Sequence, residues 1–177
     1  NRNKFIIKMI KKLLQNEKRV LLILSDRIEH LEILKQMLDK NETCTTGFYI
    51  GGMKEKQLKE SAEKTVIFGT YGMASEALDI PRLNTLLMVT PRRKIEQSVG
   101  RILRKTDFEC QPLIVDIVDN IDALVRQGNS RMTLYKKLKY QVHKKVVKNN
   151  KVTEQIELKD ESSEDLNVEA CNIGFID

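Results

Sequence analysis

Val20-Leu-Leu-Ile-Leu24, followed by Ser25-Asp26-Arg27, is the stretch from which the fold is read. Five apolar residues without polar alternation describe a strand covered on both faces, as in the interior of a parallel sheet. Ser25 is a good N-cap, and Ile28, Leu31, Leu34, Met37 and Leu38 then recur at helical spacing. Upstream, Phe5, Ile6, Met9, Ile10, Leu13 and Leu14 share one helical face. Downstream, 47–50 reads as a short strand running into Gly51-Gly52, 54–63 as a polar helix and 65–68 as a third strand. The rhythm continues with a strand at 85–89, a helix at 95–103 and a strand at 113–118. Strands alternating with helices of this length imply right-handed crossovers. The expected fold is α/β, an open and mainly parallel sheet with helices on both faces, over residues 1–127.

Length and charge set limits on this unit. The 177 residues amount to one domain plus an appendage, too few for two nucleotide-binding lobes. With 41% hydrophobic and 32% charged residues, wholesale disorder is excluded. No apolar run approaches the roughly 20 residues that cross a bilayer, so no membrane partner is expected. The first residues lack an apolar leader and an initiator Met, which reads as a piece of a longer chain. Cys44, Cys110 and Cys171 are odd in number, far apart and without C-x-x-C spacing. Only His30 and His143 could join them, so no metal site is expected and a reducing intracellular compartment, cytoplasmic or nuclear, is favoured.

The net charge of +6 hides two opposed segments. From Arg126 to Lys151 there are nine basic residues and no acidic one; from Val152 to Asp177 there are eight acids against Lys159 alone. Leu134, Leu138, Val142 and Val146 recur every fourth residue, so 128–151 is expected to be a basic helical extension. It either packs on the domain with its lysines in solvent or offers a nucleic-acid surface with Tyr135 or Tyr140 for stacking. Residues 152–177 are expected to be a flexible acidic tail.

What is missing matters as much. There is no G-x-x-x-x-G-K-[ST] loop, and no G-x-S-x-G, H-E-x-x-H or G-x-G-x-x-G. A self-sufficient nucleotide hydrolase is therefore not expected. The strongest positive signal is Gln97-Ser-Val-Gly100-Arg101-Ile-Leu-Arg104. On a helix, Arg101 and Arg104 project from one side, and paired guanidinium forks suit the spread charge of a γ-phosphate. Gln97 lies one turn earlier, and Gly100 permits close approach of a ligand or backbone. A second signal, Thr70-Tyr71-Gly-Met-Ala-Ser-Glu-Ala-Leu-Asp79-Ile-Pro81, follows a strand directly, where open α/β sheets bind ligands. A third is the pair of strand ends Ser25-Asp26-Arg27 and Gly51-Gly52-Met53-Lys54: singly a helix cap and a turn, together they are expected to make a phosphate-backbone cradle.

Taken in order, these motifs resemble those of the second RecA-like lobe of the superfamily 2 helicases, over about residues 1–127. In wording they are most similar to the group containing the transcription-and-repair helicase XPB, phage recombination helicases and transcript-release helicases of large DNA viruses. The resemblance implies that Arg101 and Arg104 are the arginines reaching across an interlobe cleft to ATP, with Gln97 linking nucleotide to interface. It implies Asp79 near the ribose and Gly100 beside the nucleotide. Thr70 and Tyr71, with Ser25, Arg27, Gly51, Gly52 and Lys54, would grip the nucleic-acid strand. Ala77 departs from the glycine usual at its position.

The expected function follows from that resemblance. The chain reads as the C-terminal lobe of an ATP-dependent nucleic-acid helicase or translocase, DNA favoured and RNA possible. ATP with Mg2+ would be held mainly by an N-terminal RecA-like lobe, and the 177 residues alone are expected to be inactive. A viral source would make it cytoplasmic and point to transcription. The alternative is a degenerate RecA-like module that binds nucleic acid or protein without motor activity.

Overall fold

The computed structural model describes residues 2–40, 44–76, 79–93, 95, 110–148, 151–158 and 169–176. In chain order these form α1 (Arg2–Leu13), β1 (Leu21–Ser25), α2 (Ile28–Asp39), β2 (Thr46–Tyr49), α3 (Glu55–Ala62), β3 (Val66–Thr70), α4 (Tyr71–Glu76) and β4 (Thr85–Met88). They continue with β5 (Leu113–Asp119), α5 (Asp122–Lys137), β6 (Gln141–Lys148), β7 (Lys151–Leu158) and β8 (Glu169–Ile176).

One sheet holds all eight strands in the order β2-β3-β1-β4-β5-β8-β6-β7, and every pairing except β6–β7 is parallel. The apolar run at 20–24 sits in the middle as β1, flanked by β3 and β4 and buried at every residue. Its side chains alternate between two cores. Leu21 and Ile23 join Phe5, Ile6 and Ile10 of α1 and Leu31, Leu34 and Leu38 of α2. Leu22 and Leu24 join Tyr71 and Ala74 of α4 and Tyr135 of α5, with Leu58 of α3 packed against them. Each fully buried Leu or Ile contributes about 1.5–3 kcal/mol, and this strand supplies four of them, two to each core.

Polar residues secure the amino edge of the sheet. Asn84 accepts the Val20 N–H through Oδ1 at 3.1 Å and donates through Nδ2 to the Lys18 carbonyl at 2.8 Å. Arg19 Nη1 donates to Thr85 Oγ1 at 2.8 Å. These contacts hold the starts of β1 and β4 level, which sets the register that brings their far ends together.

The extension differs from expectation. α5 begins at Asp122, so a boundary at 127 falls inside a helix, and the helix stops at Lys137 rather than running to 151. Lys139 adopts φ +58, and the N–H groups of Leu138, Lys139 and Tyr140 bond back to Leu134, Lys136 and Tyr135. That left-handed turn ends the helix. Residues 141–148 then form β6 and enlarge the sheet. A spacing of four is even, so Val142 and Val146 share a face in a strand as well as in a helix. The period could not separate the two. Residues 151–158 and 169–176, expected as a flexible tail, are strands β7 and β8, and β8 lies between β5 and β6. The acidic segment thus pairs with the basic one along the backbone: His143 stands opposite Glu157 and Lys145 opposite Gln155.

Candidate functional site

Parallel strands bring their carboxyl ends to one edge, and the motif residues among those described lie along it. The edge runs from the Gly51-Gly52 turn after β2, through Thr70 at the end of β3, to Ser25 and Arg27 after β1. It continues to Thr90 after β4 and Asp119 at the end of β5. Ser25 and Thr70 are direct neighbours in the β1–β3 register.

The individual residues fall into three groups. Arg27 is exposed and caps α2, Lys54 is exposed and caps α3, and Gly51 and Gly52 are exposed. Gly52 has φ +83, a conformation that favours glycine, and a Cβ there would meet nothing within 4 Å. Thr70 is half-buried and Asp79 exposed. Asp79 raises the Tyr49 hydroxyl's pKa, secondary to burial, so its charge acts toward the end of β2.

Two expected strand contacts are internal instead. Ser25 is fully buried, and its Oγ accepts the Arg27 N–H at 3.1 Å, a turn that launches α2. Tyr71 is 2% exposed and its hydroxyl donates to the Thr90 carbonyl at 2.8 Å. Burial first, and then the Asp116 charge, push its pKa far above the ordinary tyrosine value, so it stays a donor. Tyr135 is likewise no stacking platform, since it is fully buried and its hydroxyl donates to Asp116 Oδ2 at 3.1 Å. Tyr140 stacks on Tyr135 at 6.3 Å between ring centroids. Gln97, Gly100, Arg101, Arg104, Ala77 and the expected helix at 95–103 beyond Ile95 lie outside the described residues.

What sequence reasoning missed is the network beneath the edge. Arg131, one of the nine bases between 126 and 151, is 2% exposed and grips Asp116 with two parallel bonds, Nε to Oδ2 at 2.7 Å and Nη2 to Oδ1 at 2.8 Å. Burial opposes the guanidinium charge, but the bonds to Asp116 more than offset it, and the Arg131 pKa lies above its usual value. The remaining nitrogen, Nη1, donates to the Arg92 carbonyl at 2.6 Å. The Arg92 side chain bonds Asp26 Oδ1 at 2.8 Å and lies over the Tyr71 ring at 5.6 Å. Asp26 N–H donates to Thr90 Oγ1 at 2.9 Å. A signal existed: an aspartate inside the apolar run 113–118 must be paired, because burying a lone charge is prohibitive.

On the α1–α2 side of this edge lies an open cleft of about 770 Å³, lined by Arg2, Arg27, His30, Ile33, Asp119 and Leu124 among others. His30 bonds Asn3 Oδ1 at 3.0 Å. Burial, then the charges of Arg2 and Arg27, lower its pKa, so it is neutral at pH 7. Among the described residues no three His, Cys, Asp or Glu side chains gather to hold a metal ion, and no helix is long and apolar enough to cross a membrane.

A parallel sheet ordered about a central first strand, with phosphate-suited residues at its carboxyl edge, defines a RecA-like α/β domain. No family model matches the chain. It is 44% identical over 146 residues to a protein of Acanthamoeba polyphaga mimivirus named as an ATP-dependent RNA helicase, covering 81% of this chain and 28% of that protein. Among solved structures, T4 UvsW superposes with a TM-score of 0.60 at 22% identity, over 77% of this chain and 32% of that one. The C-terminal part of the Fun30 ATPase domain superposes with a TM-score of 0.59 at 11% identity, over 71% of this chain and 43% of that one. This chain has the RecA-like fold and is similar in sequence to proteins of large DNA viruses that are named as helicases. It spans less than a third of the mimivirus relative's length.

Proposed function

We propose that the chain is the C-terminal lobe of an ATP-dependent nucleic-acid helicase or translocase. The observation that carries this reading is the alignment of Gly51-Gly52, Thr70, Arg27 and Thr90 along one sheet edge, with the chain leading from Thr90 directly into Gln97, Arg101 and Arg104. Exposed Arg27 and Lys54, the freely accessible Gly51-Gly52 turn and Thr70 hold successive phosphates of one strand. Arg101 and Arg104 meet the γ-phosphate of ATP carried by an N-terminal lobe, Gln97 and Gly100 border the nucleotide, and Asp79 accepts from its ribose. ATP with Mg2+ would be held chiefly by that other lobe, where the metal neutralises developing phosphate charge. Lobe closure assembles the site, and hydrolysis releases it and shifts the strand.

Fun30's matching segment is the C-terminal part of an ATPase domain, which supports the lobe assignment. The mimivirus relative's name makes RNA a substrate to test beside DNA. The decisive comparison is between full-length protein and residues 1–177. Full-length protein should hydrolyse ATP with stimulation by nucleic acid, Arg104→Ala should lower that rate by roughly 10³–10⁵ while strand binding persists, and the 177 residues alone should be inactive. Robust turnover by the isolated chain, or an active Arg104→Ala protein, would refute the reading.

A further inference from the structure

The loop after β4 is held in an unusual way. Three of its backbone carbonyls are each claimed by a side-chain donor from a different helix. Arg2 Nη2 of α1 donates to the Val89 carbonyl at 2.6 Å, Tyr71 Oη of α4 to the Thr90 carbonyl at 2.8 Å, and Arg131 Nη1 of α5 to the Arg92 carbonyl at 2.6 Å. The fourth residue, Pro91, has a fixed φ and no N–H to bond elsewhere. At the surface, Thr90 Oγ1 receives the Asp26 N–H, and the exposed Arg92 guanidinium bonds Asp26 and lies over the Tyr71 ring. Surface loops normally leave such carbonyls to water. Here two of the three donors, Tyr71 and Arg131, are almost wholly buried, and Arg131 is itself immobilised by its fork on Asp116.

We infer that Tyr71 and Arg131 are positioning residues: they hold residues 89–92 as a rigid platform that fixes the direction in which the chain enters the segment bearing Gln97, Arg101 and Arg104. This rests on the proposed function. The physical need is clear, since a guanidinium reaching across a cleft loses on the order of a hundredfold in rate when displaced by about 1 Å. Fixing residues 89–92 sets where the chain leaves the sheet, without any residue of the platform touching ATP. The fork geometry also explains why position 131 carries arginine. A lysine ammonium could meet Asp116 but could not also keep a planar third donor aimed at the Arg92 carbonyl.

Two variants of the full-length protein test this. Tyr71→Phe removes one hydroxyl and nothing else, and Asp116→Leu with Arg131→Met replaces the buried pair by apolar groups of similar size, at the cost of the acceptor of the Tyr135 hydroxyl. Both should lower nucleic-acid-stimulated kcat on the order of tenfold, with KM for ATP and strand affinity within about twofold. Amide hydrogen exchange in peptides covering 89–104 should accelerate while the rest of the sheet keeps its protection. Unchanged kcat and unchanged exchange in Tyr71→Phe would overturn the inference, as would a kcat loss matched by equal losses in strand binding and melting temperature. If the double variant does not fold, Tyr71→Phe decides alone. Wild-type protein without ATPase would sink the proposed function, and exchange would still judge the platform.

Discussion

Arg2 and Asp119 join the first residue of α1 to the last residue of β5, Nε to Oδ1 at 2.7 Å, across 117 positions of the chain. The same guanidinium reaches the Val89 carbonyl, so one side chain ties an otherwise peripheral helix to two strand ends. Both partners are about a quarter exposed, so solvent screens the ion pair. Arg2→Ala should therefore cost only about 1 kcal/mol, seen as a fall of roughly 2–4 °C in melting temperature. The loss should shrink at 1 M salt, where the Debye length is about 3 Å. A melting temperature unchanged at low salt would show that α1 is held by its apolar face alone.

Gly128 shows where packing overrides propensity. A Cβ at this position would stand 2.9 and 3.0 Å from the two γ carbons of Val118, a β-branched side chain with little room to turn. Gly128→Ala should gain up to about 1 kcal/mol of helix propensity and lose about 1–3 kcal/mol to overpacking. The expected net result is a lower urea midpoint. A higher midpoint would mean α5 can move off β5 at no cost.

Acid should weaken the fold through His30. Its folded pKa lies below the ordinary 6.5 because of burial and then the charges of Arg2 and Arg27, so the folded state binds the proton less readily than the unfolded state. Packed around it are Arg2 and Asp119, and Asp26, Arg27 and Glu29 line the same cleft. Its contribution is complete above pH 6.5 and is lost as pH falls from there toward the lowered folded value. Urea unfolding from pH 7.5 to 5 should show this decline, and His30→Gln should flatten it. An equal decline in the variant would assign the effect to other groups.

Nucleic-acid affinity should depend on the carboxyl edge rather than on the lysine-rich helix end. Residue Gln141 is level with Glu169, and Glu169 with Leu113 at the start of β5, so α5 ends at the amino edge of the sheet. Lys136 and Lys137 are therefore remote from Arg27 and Lys54. Arg27→Glu with Lys54→Glu should weaken binding of a single strand and reduce the slope of log affinity against log salt by roughly one for each phosphate no longer neutralised. Lys136→Glu with Lys137→Glu should stay within about threefold at 0.15 M salt, apart from the small long-range charge effect. The reverse pattern, read by fluorescence anisotropy, would move the strand to the other edge.

Much of the domain is legible in the chain because its elements are locally coded. The strands expected at 20–24, 47–50, 65–68, 85–89 and 113–118 each lie within two residues of those bounds, since a continuous apolar run has few other uses in a chain of this polarity. Local coding failed where two structures share a period. The spacing of Leu134, Leu138, Val142 and Val146 suits a helix and a strand equally, and the left-handed turn at Lys139 decided between them. Composition failed at 152–177 because β7 draws its stability from hairpin pairing with β6, and β8 from pairing with β5 and β6, which residue content does not record.

The sequence by itself determined the alternation of strands and helices, the absence of a phosphate-binding loop and the identity of the motifs carried to the sheet's carboxyl edge. Tertiary structure alone decided the surroundings of Ser25, Tyr71 and Arg131. Ser25 and Tyr71 look like ligand contacts in the chain and are buried donors and acceptors in the fold, while Arg131, one base among nine in its segment, is the centre of a buried network. The reason is physical: a polar side chain's role is set by which partners reach it once water is excluded, and those partners come from residues 2 to 131, joined only when the sheet closes.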